Sequence, residues 1–204
     1  GESGSGKTYS IRNFDPAEVG IFSVEKPFLP FKNDKGFKVA KNASYGSIGA
    51  VLKDPKLKAY IIDDSQYLLV NELFDRSFEK GYDKFSHIGT NFFRLLETIR
   101  TLPNDKIVYL MHHIETNDVD GREKAKTVGK MVDNYIVVEG CFSIVLKAVA
   151  DNKGYYFRTK TNGVDPVKTP IGLFEEEQID NDLLFVDDTI REFYGIKCEE
   201  PKGE

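Results

Sequence analysis

The chain has 204 residues, 40% of them hydrophobic and 30% charged, with a formal net charge of −5. That length and balance suit one sizeable core of the globular kind. The acidity excludes a surface that coats nucleic acid indiscriminately, because such binding needs many Lys and Arg contacts to phosphate, and apolar runs such as residues 107–111 are far too short to cross a bilayer, so no membrane partner is expected.

The first eight residues, Gly1-Glu2-Ser3-Gly4-Ser5-Gly6-Lys7-Thr8, fit the phosphate-loop pattern G-x-x-x-x-G-K-[ST] at every required position. Glycines let consecutive backbone N–H groups turn inward around the α- and β-phosphates. Lys7 reaches the β/γ oxygens, and the Thr8 hydroxyl ligates the Mg²⁺ that accompanies ATP or GTP. The competing reading is an ordinary Gly/Ser turn. Such a loop normally follows a buried strand, so a first strand is expected to be missing ahead of Gly1, central in a parallel sheet.

Residues 9–14 read as the first turns of a helix whose start faces the phosphates, ended by Asp15-Pro16. Residues 19–24 read as a buried strand stopping at Glu25-Lys26-Pro27. A turn is expected at 33–36 and a short helix over 44–53. The apolar strand 59–64 ends in Asp63-Asp64. Leu69, Leu73, Phe74 and Phe78, then Ile88, Phe92, Leu95, Leu96 and Ile99, follow the helical i, i+3, i+4, i+7 spacing and are expected to be core, with a break at 80–83. A third strand, 106–111, runs into His112-His113-Ile114-Glu115. Residues 116–130 read as a mobile polar loop. Residues 141–149 and 155–160 form a hairpin, 172–180 is irregular, and Asn181 or Asp182 caps a last helix with Val186, Ile190 and Phe193 on one face, ended by Gly195. One domain over 1–197 and a disordered tail at 198–204 are expected.

This alternation predicts an α/β fold with a mainly parallel sheet flanked by helices, plus a C-terminal β-hairpin and helix. Active groups gather at the carboxyl ends of such strands, where Glu25, Asp63, Asp64, His112 and His113 all fall. Asp63 is the candidate Mg²⁺ carboxylate opposite Thr8. Glu25 and Asp64 compete to orient the attacking water, with Glu25 preferred. One of His112 and His113 is a candidate donor to the γ-phosphate, since adjacent strand residues point to opposite faces. Arg122, Lys124, Lys126 and Lys130 are either a solvated loop, contacts to a nucleic-acid backbone, or a cation reaching a neighbouring subunit's site. The acid excess lies late, at Glu175–Glu177 and in Glu199, Glu200 and Glu204, so a polyanion site is sought before Thr169. Cys141 and Cys198 match no metal or redox spacing, which suits a reducing cytoplasm.

The loop, with Val24-Glu25-Lys26-Pro27, Ile61-Ile62-Asp63-Asp64, His112-His113-Ile114-Glu115, Lys126-Thr127-Val128-Gly129-Lys130 and the ending from Ile179-Asp180-Asn181-Asp182-Leu183 to Phe193-Tyr194-Gly195, resembles the phage-encoded RecA-like, AAA-labelled ATPases of single-strand annealing and recombination. The resemblance implies a RecA-like core, ATP and Mg²⁺ as cofactors, single-stranded DNA as partner, homo-oligomerisation, other phage replication or recombination proteins as associates, and a bacterial host cytoplasm. The loop pattern makes Gly1, Ser3, Gly4, Ser5, Gly6, Lys7 and Thr8 the nucleotide-binding candidates, and the resemblance assigns Lys7, Thr8 and Asp63 to nucleotide and metal, Glu25 as a candidate catalytic carboxylate, and Lys126 or Lys130 to action across a subunit interface. A non-hydrolysing ATP-binding loader and a small kinase are the other readings. The single arginine of the lid candidate, Arg122, counts against the kinase.

Overall fold

The computed structural model describes residues 1–25, 28–54, 56–133 and 136–197, without the side chains of Lys130 and Met131. The expected tail at 198–204 and the motif residues Lys26 and Pro27 lie outside the described residues.

The chain is α/β, with a four-stranded parallel sheet at its centre. Its strands β1 (Val19–Ser23), β2 (Val39–Lys41), β3 (Ala59–Asp63) and β4 (Ile107–Leu110) lie in the order β2-β1-β3-β4. Ile21 pairs with Ile61, and Ile61 with Tyr109, so side chains alternate in step across neighbouring strands. Ile21, Ala59 and Ile61 face one layer with Ile11, Phe14, Val186 and Ile190. Phe22, Tyr60 and Ile62 face the other with Ile48, Leu52, Leu68 and Leu95. Because both faces are covered, β1 and β3 read as unbroken apolar runs. Each fully buried Ile or Phe contributes about 2 kcal/mol relative to exposure.

The second layer comes from α1 (Tyr45–Val51), α2 (Gln66–Asp75) and α3 (Asp83–Arg100). Ser44 starts α1 with a reciprocal cap: its hydroxyl accepts from the Ser47 N–H, and Ser47 Oγ accepts from the Ser44 N–H. Ile88, Phe92 and Leu96 bury the apolar stripe of α3 against Leu69. The first layer is closed by a 3-10 helix over Thr8–Asn13 and by α5 (Leu183–Tyr194). Arg191 on α5 bonds Asp187 at 2.6 Å and donates to the carbonyls of Asp105 and Lys58 at 2.8 and 3.0 Å. Tyr109 donates to the same Asp187 at 2.6 Å. These bonds fix α5 to the entry ends of β3 and β4, opposite the ends that carry Asp63 and His112.

The smaller elements are β5 (Ile114–Thr116) paired with β6 (Glu123–Ala125), α4 (Lys130–Asp133), and a sheet of β7 (Lys147–Asp151), β8 (Gly154–Arg158) and β9 (Gln178–Asp180). Beside β4, the last strand in the sheet order, lies a cavity of about 490 Å³ walled by Tyr109, Met111, Ile144, Leu146, Val186 and Ile190. The Gly1 nitrogen donates to the His112 carbonyl at 3.3 Å, so the chain starts next to the end of β4.

Several local expectations are corrected. Residues 116–130 are not a featureless loop, because β5 and β6 pair across a turn at Asn117–Arg122 closed by Asn117 N–H to Arg122 O at 2.8 Å. The first arm of the C-terminal hairpin begins at Lys147, later than residue 141, and residues 139–141 form a 3-10 turn. The span 172–180 is not wholly irregular: its last three residues add to β8 as β9. Phe74 and Phe78 are 71% and 96% exposed, since α2 ends at Asp75 and the stripe does not continue past it, and Phe193 is 42% exposed. Among the described residues no helix is long and apolar enough to cross a membrane.

Candidate functional site

Three parallel strands end side by side. Ser23 is in register with Asp63, and Ile62 with Leu110, so Glu25, Asp63-Asp64 and His112-His113 leave the sheet at one end. The Gly1–Thr8 loop closes on the same end.

Within the loop, Gly4 and Gly6 adopt φ of +79° and +88°, which only glycine holds without strain. The Lys7 ammonium donates back to the carbonyls of Gly1 and Glu2 at 2.9 and 2.7 Å, bracing the loop from within. Ser5 Oγ is buried and has no hydrogen-bond partner among the described residues. A buried hydroxyl in that state costs free energy unless something accepts from or donates to it. The Thr8 hydroxyl donates to the Asp63 carboxylate, 2.8 Å from Oδ2 and 3.0 Å from Oδ1. Ser3 and Gly4 are exposed at the tip. The run after Thr8 is a six-residue 3-10 helix rather than an α-helix, so an anion here would rely on loop N–H groups and Lys7.

The two candidate water-orienting carboxylates differ in setting. Glu25 is exposed and accepts a hydrogen bond from Asn71 Nδ2 on α2 at 2.9 Å. Asp64 is 1% exposed, sits at φ +56°, and bonds His113 Nε2 at 3.1 Å. Its carboxylate reaches His113, just beyond the end of β4.

Neither histidine stands as an uncommitted donor. His112 Nε2 is 2.7 Å from the Lys126 carbonyl, which only accepts, so Nε2 carries the proton; Nδ1 faces Ser65 Oγ at 2.8 Å. Burial pulls this imidazole down to about 4, opposed by the bond to Lys126, so the ring is neutral near pH 7. In this arrangement both His112 nitrogens are occupied and neither is left for a phosphate. His113 packs its ring edge-on to Tyr67 and bonds Asp64, while its N–H donates to Gln66 Oε1 at 3.2 Å.

The basic run is dispersed. Lys124 is shared between Glu115 and Asp133 at 3.0 and 2.8 Å, which raises its ammonium pKa through the Asp133 bond first. Arg122 is 3.7 Å from Asp120 and its side chain is 75% exposed. Lys126 is exposed, and the side chain of Lys130 lies outside the described residues. Among the described residues no cluster of three or more His, Cys, Asp or Glu is arranged to hold a metal ion. A Mg²⁺ ion would instead draw on the hard oxygens of Thr8 and Asp63, with phosphate and water completing six positions.

Sequence reasoning missed Ser65, Gln66 and Asn71, which support His112, His113 and Glu25. Each partnership crosses 46 or 47 residues, and no local pattern announces it. It also missed Tyr155 and Asn181, which close on Gly6. No protein-family model matches this chain, and no curated protein matches it.

Proposed function

We propose that this chain is a Mg²⁺-dependent P-loop ATPase with a RecA-like core, working with single-stranded DNA in phage recombination or replication. The observation that carries the nucleotide reading is the Thr8–Asp63 hydrogen bond. It joins the loop hydroxyl to a strand-end carboxylate 55 residues away, a pair of hard oxygens that would hold one divalent ion against phosphates. The partnerless Ser5 hydroxyl and the positive-φ glycines fit an anion inside the loop. Mg²⁺ bound there supplies charge neutralisation at the β- and γ-phosphates.

The chain's own residues divide the remaining work. Loop amides and Lys7 bind phosphate oxygens, with Lys7 leaving the Gly1 and Glu2 carbonyls to do so. Glu25, at the strand end beside Asp63 and steadied by Asn71, orients and deprotonates the attacking water. Asp64 keeps the β3–α2 turn in place through His113. Single-stranded DNA, self-assembly and phage partners rest on the motif resemblance, and the exposed Arg122 and Lys126 are the cations on which DNA contact is proposed.

ATP turnover with and without single-stranded DNA, alongside Lys7→Ala, tests this. DNA-stimulated phosphate release that vanishes in Lys7→Ala is the expected result. Nucleotide binding with neither basal nor stimulated turnover would replace it with the non-hydrolysing loader, and no nucleotide binding at all would sink both.

A further inference from the structure

The outer flank of the phosphate loop carries a second set of residues that the phosphate chemistry does not use. An ideal Cβ on Gly6 would lie 2.7 Å from Tyr155 Cδ1 and 3.2 Å from Asn181 Nδ2, so both side chains close on the loop backbone. Asn181 is 3% exposed, and among the described residues neither its side-chain oxygen nor its nitrogen has a hydrogen-bond partner. It has no capping duty, because Asp182 caps α5 by accepting from Leu184 and Phe185 N–H at 3.0 and 3.4 Å. Its backbone is fixed, with Arg12 donating to the Asn181 carbonyl at 2.5 Å while the same guanidinium lies 4.2 Å over the Tyr9 ring. Tyr9 in turn packs against Tyr155 at 5.6 Å, and Tyr155 keeps 48% of its surface exposed.

A buried amide without partners is costly, and one set beside an anion loop and an open aromatic ring has the two components of base recognition: a stacking plane and a paired donor and acceptor. We infer that Tyr155 and Asn181 form the nucleobase subsite of the phosphate loop, taking adenine. The base stacks on Tyr155, whose ring swings from Gly6 on the exposed edge of its hairpin, and Asn181 meets the N6–N7 edge. There adenine offers one donor and one acceptor, matching an amide. Guanine offers two acceptors on the same edge and leaves the amide half satisfied. The inference rests on the phosphate-loop reading and names the ligand's other end.

The test separates the two. Binding of ATP, GTP and inorganic tripolyphosphate is measured by calorimetry in Mg²⁺ for the full chain and for Tyr155→Ala, Tyr155→Phe and Asn181→Ala, with thermal unfolding as the folding control. The wild type is expected to bind ATP at least tenfold more tightly than GTP or tripolyphosphate. Tyr155→Ala and Asn181→Ala bring ATP to the tripolyphosphate level without changing tripolyphosphate itself, whereas Tyr155→Phe retains the preference. Should Asn181→Ala fail to fold, the Tyr155 pair carries the test alone. Equal wild-type affinity for ATP and tripolyphosphate, or an ATP preference that survives Tyr155→Ala, overturns the base subsite and leaves the phosphate loop standing. Failure of the wild type to bind either ligand overturns both.

Discussion

Thr8 Oγ1 donates to Asp63 Oδ2 at 2.8 Å, joining the loop at the start of the chain to the end of β3. Both groups are buried, at 8% and 2% exposure, so their geometry is set by the fold rather than by solvent. Asp63→Asn keeps the shape and removes the charge. ATP affinity in Mg²⁺ is expected to fall at least tenfold, while affinity in EDTA stays where the wild type's is. Titration calorimetry under the two conditions checks it, and an equal loss in EDTA would remove Asp63 from the metal site.

Glu25 and Asp64 separate by which property their loss changes. Glu25→Gln is expected to lower ATP turnover about 100-fold or more, with ATP affinity and melting temperature unchanged, because its side chain is exposed and held by a hydrogen bond from Asn71. Asp64→Ala leaves the His113 ring without its buried acceptor and is expected to cost roughly 1–3 kcal/mol. A chain of this size then melts about 2–12 °C lower. Turnover lost in Asp64→Ala at full thermal stability would reverse the two roles.

His112 gives the fold an acid limit. Its imidazole is held down to about 4 in the folded chain, chiefly by burial, against 6.5 in the unfolded one. The unfolded chain therefore takes up a proton first as pH falls. Stability from this residue is complete above pH 6.5 and is lost between pH 6.5 and 4, about 3 kcal/mol in all. Denaturant unfolding across that range, compared with His112→Gln, should show the stability difference between the two proteins shrinking as pH drops. A constant difference would mean the ring is not buried neutral.

The basic residues in and beside the β5–β6 hairpin are expected to differ in the proposed contact with DNA. Arg122→Ala and Lys126→Ala are each expected to reduce the salt slope of single-stranded DNA binding by about 1. Lys124→Ala is expected to leave it nearly unchanged, because Glu115 and Asp133 already balance that ammonium. Fluorescence anisotropy over a salt series reads all three.

The parallel sheet was legible because β1 and β3 are buried on both faces, and continuous apolar runs ending in polar residues are what that burial demands of a sequence. The meeting of Thr8 and Asp63 was legible because the loop pattern fills eight consecutive residues and the strand ending in Asp63 fills five. The surroundings were not. Asn71 reaches Glu25, Ser65 reaches His112, and Asn181 reaches Gly6 only after the chain has folded, and each is a polar residue in an unremarkable local context. Phe74 and Phe78 misled because helical spacing reports a stripe without saying where the helix stops.

The His112 ring, spanning Ser65 Oγ and the Lys126 carbonyl, sits between two backbone bonds: Ser65 N–H to Met111 O and Lys126 N–H to His113 O, both at 2.9 Å. Opening either bond displaces the ring that braces the other. The amide protons of Ser65 and Lys126, 61 positions apart in the sequence, should therefore exchange with solvent deuterium as one cooperative unit, at a common rate that rises together when the imidazole is protonated.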